Sequence, residues 1–274
     1  MSRESTQFYI PILLAIAGAA VLIYYYLEIN RLVPSVEDST SPAVVESAVK
    51  KHKMPLHPFP RITSPEGLGG ELIPLPSLDQ SDQYLKLALT DVLGSQIVTD
   101  MLAETDLIAR IVATVDNLSR DHVAERIRPF DRLDSPFDAE ITSNNIEFTI
   151  SSDSYRRYDL LVDIVTNGDL KELTKIYGRF YPLFQKAYID LGYPNTYFND
   201  RLVTVIDHLL ATPEVQDPIK LVRSHVLYEF ADMDLESLSS GQKLLIRLGN
   251  EHATRIKATL SQLRLLIADK NAGI

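Results

Sequence analysis

Four polar side chains that could hold a polar ligand, Asp200, Thr204, Asp207 and His208, are spaced at i, i+4, i+7 and i+8, and Asp207 or His208 could accept a proton. On an α-helix this spacing places all four on one face, with Arg201 beside them. A carboxylate next to an imidazole can accept a proton or hold a polar ligand. The pattern is also typical of the solvated face of an amphipathic helix, whose apolar residues would be Leu202, Val205, Ile206 and Leu209. We interpret the stripe as a candidate ligand or partner surface, with a solvated helix face as the alternative.

Two further polar pairs, Asp116-Asn117 and Arg156-Arg157, carry groups that are able to hold a charged ligand. Helix capping and surface ion pairing explain the same residue types without any ligand. Both interpretations stay open at this point. We add these four residues to the candidate surface.

The sequence contains no complete catalytic motif. Glu236-Ser237 resembles the acid pair of lytic transglycosylases, but the glycine-rich motif that follows it in that family is absent. Ser240 and Lys243 have the S-x-x-K spacing of penicillin-binding proteins, but the chain has no K-T-G. Glycine-rich nucleotide motifs and the H-E-x-x-H metal motif are absent too, so we expect no catalytic residues, cofactor or metal. Carboxylates are plentiful, which leaves a glycosidase with two carboxylates as an alternative.

The composition excludes several classes of protein. The chain has 274 residues, of which 45% are hydrophobic, so it is long and apolar enough to fold. It contains no Cys, which excludes disulfides, thiolate metal sites and a cysteine nucleophile. With 27 Lys and Arg against 37 Asp and Glu, its formal net charge is −10. This acidic balance argues against a nucleic-acid partner.

Residues 8–27 form an uncharged apolar run with aromatic residues at both ends. A helix of this length spans about 30 Å, which is the thickness of the hydrocarbon layer of a bilayer. We predict an uncleaved transmembrane anchor after a short tail of residues 1–7, with a cleaved signal peptide as the alternative. Arg3 gives the tail a slight positive bias, which places the N-terminus in the cytoplasm and the rest of the chain in the periplasm.

The rest of the chain divides into two parts. Residues 28–80 are rich in proline and poor in apolar periodicity, and predict an extended linker. Residues 81–270 carry seven apolar stripes at helical spacing, and predict one helical domain. Alternation at residues 146–150 predicts a strand, with residues 226–230 as a candidate partner. The predicted fold is therefore mostly α: a single-pass transmembrane helix, a linker, and one all-α bundle with at most a small β-hairpin.

Long stretches of the helical region resemble a known family, the domain of unknown function 3014. They include YGRFYPLFQKAYIDLGYP at residues 177–194 and YFNDRLVTVIDHLLATPE at residues 197–214. Shorter matching segments are IVATVDNL at residues 111–118 and SYRRYD at residues 154–159. The resemblance covers residues 74–266 and implies a proteobacterial envelope protein with one membrane span, a linker and this domain. It implies no activity, ligand or catalytic residue.

The sequence therefore predicts a periplasmic domain held at the inner membrane through residues 8–27. We expect a non-enzymatic interaction or scaffold module of the cell envelope, with another envelope protein as its partner. The alternative is a protein that binds or cleaves cell-wall glycan with the stripe at residues 200–208. That alternative requires the carboxylates and the histidine to converge in one cleft.

Overall fold

Apolar residues at helical spacing fold into ten α-helices in the part of the chain that the structure describes. The computed structural model describes residues 54–59, 74–130, 137–142, 147–223 and 227–268, all of them in one compact unit. The helices are α1 (Ser81–Leu93), α2 (Ser95–Met101), α3 (Leu107–Leu118), α4 (Ser152–Arg156), α5 (Asp159–Asn167), α6 (Leu170–Asp190), α7 (Phe198–Leu210), α8 (Met233–Glu236), α9 (Ser240–Arg247) and α10 (Asn250–Ala268). Short 3-10 helices lie at Leu78–Gln80 and Glu125–Ile127.

The long helix α6 shows how local sequence sets the helix ends. The side chain of Asp169 accepts hydrogen bonds from the N–H groups of Lys171 (3.0 Å) and Glu172 (3.1 Å), which caps the first turn. Gly192 follows the helix with a φ of 112°, a conformation that favours glycine and stops the helix. The helix expected at residues 170–191 is thereby confirmed, within one residue at its C-terminal end.

The helices pack around a continuous aromatic and aliphatic core. Helices α1, α3 and α6 share one cluster whose largest fully buried members include Phe180, Phe198, Leu107 and Ile108. Helix α7 lies at the centre of the domain, because its buried residues contact α3 and α9 on one side and α10 on the other. Burial of these side chains supplies most of the driving force for folding. The central position of α7 also fixes where the stripe at residues 200–208 lies.

A four-stranded antiparallel sheet packs beside the helices. Its strands are β1 (Ala139–Ile141), β2 (Phe148–Ile150), β3 (Lys220–Val222) and β4 (Glu229–Phe230), and their order in the sheet is β1-β2-β3-β4. Ile150, Leu221 and Phe230 lie on the covered face and pack against Ile246 of α9. The sheet therefore extends the hydrophobic core beyond the helices.

The predicted fold class is wrong, since the described residues form a helical body with this sheet and not an all-α bundle with at most a hairpin. Strand β2 pairs with β1 and β3, whereas β4 pairs with β3, so the expected pairing of residues 146–150 with residues 226–230 does not occur. The strands have two or three residues each, which is too short for an alternating pattern to develop. Strand β1 lies in a region that has little sequence pattern.

None of the helices in the described ranges has the length and the apolar character needed to cross a bilayer. The single-pass element of the predicted fold class is therefore not part of the architecture seen here. Residues 8–27 lie outside the described residues, as do residues 28–53 of the expected linker. The corrected fold is a mostly helical domain with a small antiparallel sheet.

Candidate functional site

Helix α7 carries the polar stripe on a face that the core leaves uncovered. Val203, Val205, Ile206 and Leu209 are buried, whereas the side chains of Asp200, Thr204 and Asp207 are turned away from the core. The helical spacing predicted from sequence is confirmed by this arrangement. The contacts of each polar side chain show whether the stripe forms one site.

Asp200 binds the main chain of a distant segment. Its carboxylate accepts hydrogen bonds from the N–H groups of Leu56 (3.0 Å) and His57 (2.7 Å). Thr204 donates its hydroxyl to the carbonyl of Asp200 (2.8 Å), a contact within the helix. Asp200 therefore serves as an acceptor for a peptide backbone, and Thr204 contributes no separate binding group.

Asp207 and His208 have different partners from Asp200. The carboxylate of Asp207 forms a bidentate ion pair with Arg264 of α10, and the hydrogen bond with that carboxylate raises the pKa of Arg264. His208 Nε2 lies 2.8 Å from the hydroxyl of Ser239. Ser239 in turn caps α9, since its oxygen accepts a hydrogen bond from the N–H of Gln242 (3.3 Å). The side chains of the stripe thus contact three different segments (the segment at residues 56–57, α10 and the start of α9) and do not line one cleft.

The buried carboxylate of Asp116 lies at the centre of an ion-pair network. Its side chain is 4% exposed, and it accepts hydrogen bonds from Arg201 Nε (2.9 Å), Arg120 (2.6 Å) and the Tyr193 hydroxyl (3.1 Å). Arg201 also donates to Ser119 (2.7 Å). The charge of Asp116 raises the pKa of Arg120, and the Tyr193 contact adds to this effect. The structure therefore brings together Asp116 and Arg201, and it adds Arg120 and Tyr193, to which no sequence motif pointed.

The other predicted residues lie apart from this network or serve local structure. Asn117 donates its amide to the carbonyl of Ala113 (2.7 Å), one turn earlier in α3. Arg156 pairs with Asp153 three residues earlier. The guanidinium of Arg157 lies 5.1 Å from the centroid of the Tyr158 ring, which is a cation–π distance. The Arg156 contact is the surface ion pair of the alternative interpretation, whereas the contacts of Asn117 and Arg157 are with residues near them in the chain.

The two incomplete catalytic motifs, at residues 236–237 and 240–243, also serve structural roles. Burial acts to raise the pKa of Glu236, but hydrogen bonds from Lys243 (2.7 Å) and the N–H of Phe230 (2.8 Å) outweigh it, so this pKa lies below its ordinary value. A general acid needs the opposite shift. Ser240 donates its hydroxyl to the carbonyl of Asn117 (3.2 Å), so Ser240 and Lys243 do not form a nucleophile–base pair.

A polar cleft of about 540 Å³ lies between α4, α5 and the start of α10. His252 Nε2 lies 3.0 Å from Asp159, and Tyr155 donates its hydroxyl to Asp217 (2.6 Å). Arg156 is the one predicted site residue on its lining. Asp159 and His252 are far apart in sequence, so no motif could reveal their contact. The described residues contain no cluster of three or more side chains suited to hold a metal ion.

The segment Met54–Phe59 lies in a groove formed by α6, α7 and the end of α10, and we call this segment the strap. Asn199 is fully buried and donates its amide to the carbonyls of His57 (2.8 Å) and Ile267 (3.0 Å). Phe59 is 8% exposed and packs edge-on against Tyr177 and face-on against Tyr181, with ring centroids 5.1 and 5.8 Å apart. The proline-rich sequence predicted a linker here, so the strap contact is new.

Aromatic side chains line the groove beneath the strap. Burial raises the pKa of Tyr177 well above its ordinary value, and it raises the pKa of Tyr181 to about 12. Tyr177 donates its hydroxyl to the side-chain oxygen of Asn199 (3.1 Å), which fixes the orientation of that amide. The groove therefore combines an apolar pocket with two polar side chains, Asp200 and Asn199, that bind the main chain of the strap.

Comparison with known proteins gives one family match. The family described as "Protein of unknown function (DUF3014)" matches residues 107–264. This range runs from α3 to α10 and so contains the sheet, the Asp116 network and most of the groove. Neither a curated protein nor a solved structure matches the chain. Since the match covers more than half of its length, the chain belongs to the DUF3014 family.

Proposed function

We propose that this protein is a non-enzymatic interaction module of the cell envelope. The observation that carries the proposal is the strap contact, in which the side chains of Asp200 and Asn199 bind the main chain of the strap. Binding through main-chain groups is a general mode of peptide recognition by proteins. A domain that holds one of its own segments in this way has the chemistry needed to hold a segment of another protein.

The contacts of the acid–base groups support a binding role over glycan cleavage. Asp207 is paired with Arg264, and Glu236 is paired with Lys243. His208 contacts Ser239, the capping residue of α9, whereas Asp200 contacts the strap. A glycosidase needs two carboxyl groups that face one substrate across a short gap, with the acid kept protonated. The lowered pKa of Glu236 and the separate partners of these side chains are unfavourable for that chemistry.

We place the domain on the periplasmic side of the inner membrane, as the charge distribution of the N-terminal region predicts. Fusion of a reporter enzyme that is active only in the periplasm to the C-terminus tests this location. Reporter activity would support it. If only a reporter that requires the cytoplasm is active at the same position, the domain lies on the cytoplasmic side.

Crosslinking in living cells, with an affinity tag at the C-terminus, tests the interaction role. We expect one envelope protein to be captured in stoichiometric amount. The control variant Asp190→Ala should capture the same protein as the wild type, because Asp190 takes part in an exposed ion pair with Lys186. Release of muropeptides from purified cell wall by the wild type, but not by Glu236→Gln or Asp207→Asn, would overturn the proposal in favour of an enzyme.

A further inference from the structure

Helix α5 ends in the pair Asn167-Gly168, which occurs once in the sequence. In such a pair the main-chain nitrogen of the glycine can attack the side-chain amide of the asparagine, because glycine has no Cβ to obstruct the approach. Packing requires the glycine here, since an added Cβ would lie 3.1 Å from the carbonyl oxygen of Ile164. The surroundings of the pair in the folded chain determine whether it can react.

The structure leaves both reacting groups of the pair uncovered. The side chain of Asn167 is exposed, and its amide forms no hydrogen bond within the described ranges. The N–H of Gly168 likewise donates to no acceptor among the described residues, and its φ of −64° and ψ of 151° lie outside the helical region. Attack by this nitrogen therefore breaks no hydrogen bond of either group. The end of a helix also opens at a low cost in free energy.

The other asparagines that the structure describes lack this combination. Asn199 is fully buried and donates to two carbonyls. Asn117 and Asn250 each donate the side-chain amide to a main-chain carbonyl at 2.7 Å. Asn195 is exposed, but a β-branched threonine follows it and obstructs the nitrogen. Of the asparagines in the described ranges, Asn167 alone has an exposed side chain, a free amide and a glycine after it.

We propose that Asn167-Gly168 is a site of spontaneous deamidation. Hydroxide removes the proton of the Gly168 N–H, and the nitrogen attacks Cγ of Asn167. A bond forms between this nitrogen and Cγ, the bond from Cγ to Nδ2 breaks, and ammonia leaves, which gives a cyclic succinimide. Water then opens the ring at one of its two carbonyls. The products are aspartate and isoaspartate, and in the second the main chain is one methylene longer.

The modification would change the junction between α5 and α6. A carboxylate would appear at the C-terminus of α5, where the helix dipole disfavours negative charge, and two residues before the capping Asp169. Arg255 fastens the last turn of α5 to α10 through Asp163 and Thr166, so the turn cannot shift freely to accept a longer main chain. Isoaspartate should therefore destabilise the domain more than aspartate does. The inference does not depend on the interaction role proposed above.

Incubation of the purified full chain at about pH 8, with a parallel sample unfolded in urea, tests the proposal. Trypsin then releases residues 158–171, in which Asn167 is the one asparagine, and residues 187–201, which contain Asn195 and Asn199 as internal controls. Mass spectrometry measures the replacement of the amide by a carboxyl group in each peptide. In the folded chain we expect Asn167 to react at least tenfold faster than Asn195, and within tenfold of its own rate in urea.

Two variants assign the chemistry and its effect. Asn167→Gln should form no product at this position, since its longer side chain would have to close a six-membered ring. Asn167→Asp supplies the charge without the extra methylene, so the isoaspartate form should melt at a lower temperature than this variant. Equal melting temperatures would refute the proposed effect on the junction.

Two results would overturn the site itself. One is a folded-state rate at Asn167 more than a hundredfold below the rate in urea, because the fold would then protect the pair. The other is an equal rate at Asn195 in the folded chain, because exposure without a following glycine would then suffice.

Discussion

Replacement of Asp116 by Asn tests whether the Asp116 network is a structural ion pair or a ligand site. The carboxylate accepts three side-chain hydrogen bonds, from Arg201, Arg120 and Tyr193. Asn has almost the same shape, but one of its two terminal groups is a donor. That donor would face another donor, and the charge that balances two guanidinium groups would be lost. We therefore expect Asp116→Asn to destabilise the domain strongly.

The magnitude of the loss follows from the burial of the two guanidinium partners. Removal of one member of a buried ion pair costs about 3–5 kcal/mol. The side chain of Arg120 is 51% exposed and can turn towards water, whereas that of Arg201 is 22% exposed and stays enclosed. We take the lower end of the range, about 3 kcal/mol. For a domain of this size such a loss lowers the melting temperature by about 6–12 °C.

Urea and thermal unfolding of the two variants Asp116→Asn and Asp207→Asn check this estimate. Asp207 is the matched control, because its ion pair with Arg264 is 46% and 37% exposed and such pairs contribute about 0.2–1 kcal/mol. The reasoning is refuted if the two variants lose equal stability, or if Asp116→Asn loses less than about 1 kcal/mol. In that case Asp116 would again be a candidate for ligand binding.

Three further predictions concern packing and pH. Gly241→Ala should cost about 1–3 kcal/mol in urea unfolding, because an added Cβ would lie 2.8 Å from the carbonyl oxygen of Leu118; an unchanged midpoint would contradict the packing. The free energy of unfolding should fall between about pH 10 and 12, since the folded state keeps the Tyr181 proton that the unfolded state loses, and Tyr181→Phe should flatten this slope. Because the pKa of Glu236 is lowered, its ionised form stabilises the fold above about pH 4.5, and this contribution is lost as the pH falls through the pKa of the folded state. The free energy of unfolding of Glu236→Gln should therefore depend less on pH in acid than that of the wild type. Equal acid dependence in both proteins would show that Lys243 contributes little.

The helices could be predicted from the sequence because their signals are local. Helix α6 has a long apolar face, a capping Asp169 and a terminal Gly192, and all three signals agree. The sheet could not be predicted in this way. Its strands are so short that their pairing depends on contacts between residues about 70 positions apart, such as Phe148 and Leu221. Such pairing is determined by tertiary packing, which local periodicity does not report.

The candidate site, too, could be predicted only in part from the sequence. Asp116 and Arg201 were each predicted as polar residues of interest, but their contact arises only because α3 packs against α7. Asp200 was predicted to bind a ligand or partner, and in the structure it binds the strap. The strap itself gave no signal, because one aromatic residue among prolines has no periodicity. Sequence therefore identified groups able to bind, while the fold determined which of them meet.

The two carbonyls that accept from the buried Asn199 amide lie outside the range that the family model matches. That range is residues 107–264, whereas the carbonyls belong to His57 and Ile267. A fragment cut to the family range would remove both acceptors of a fully buried amide, which is costly. The natural boundaries for a stable fragment are therefore set by the strap and the end of α10, beyond the family range on both sides.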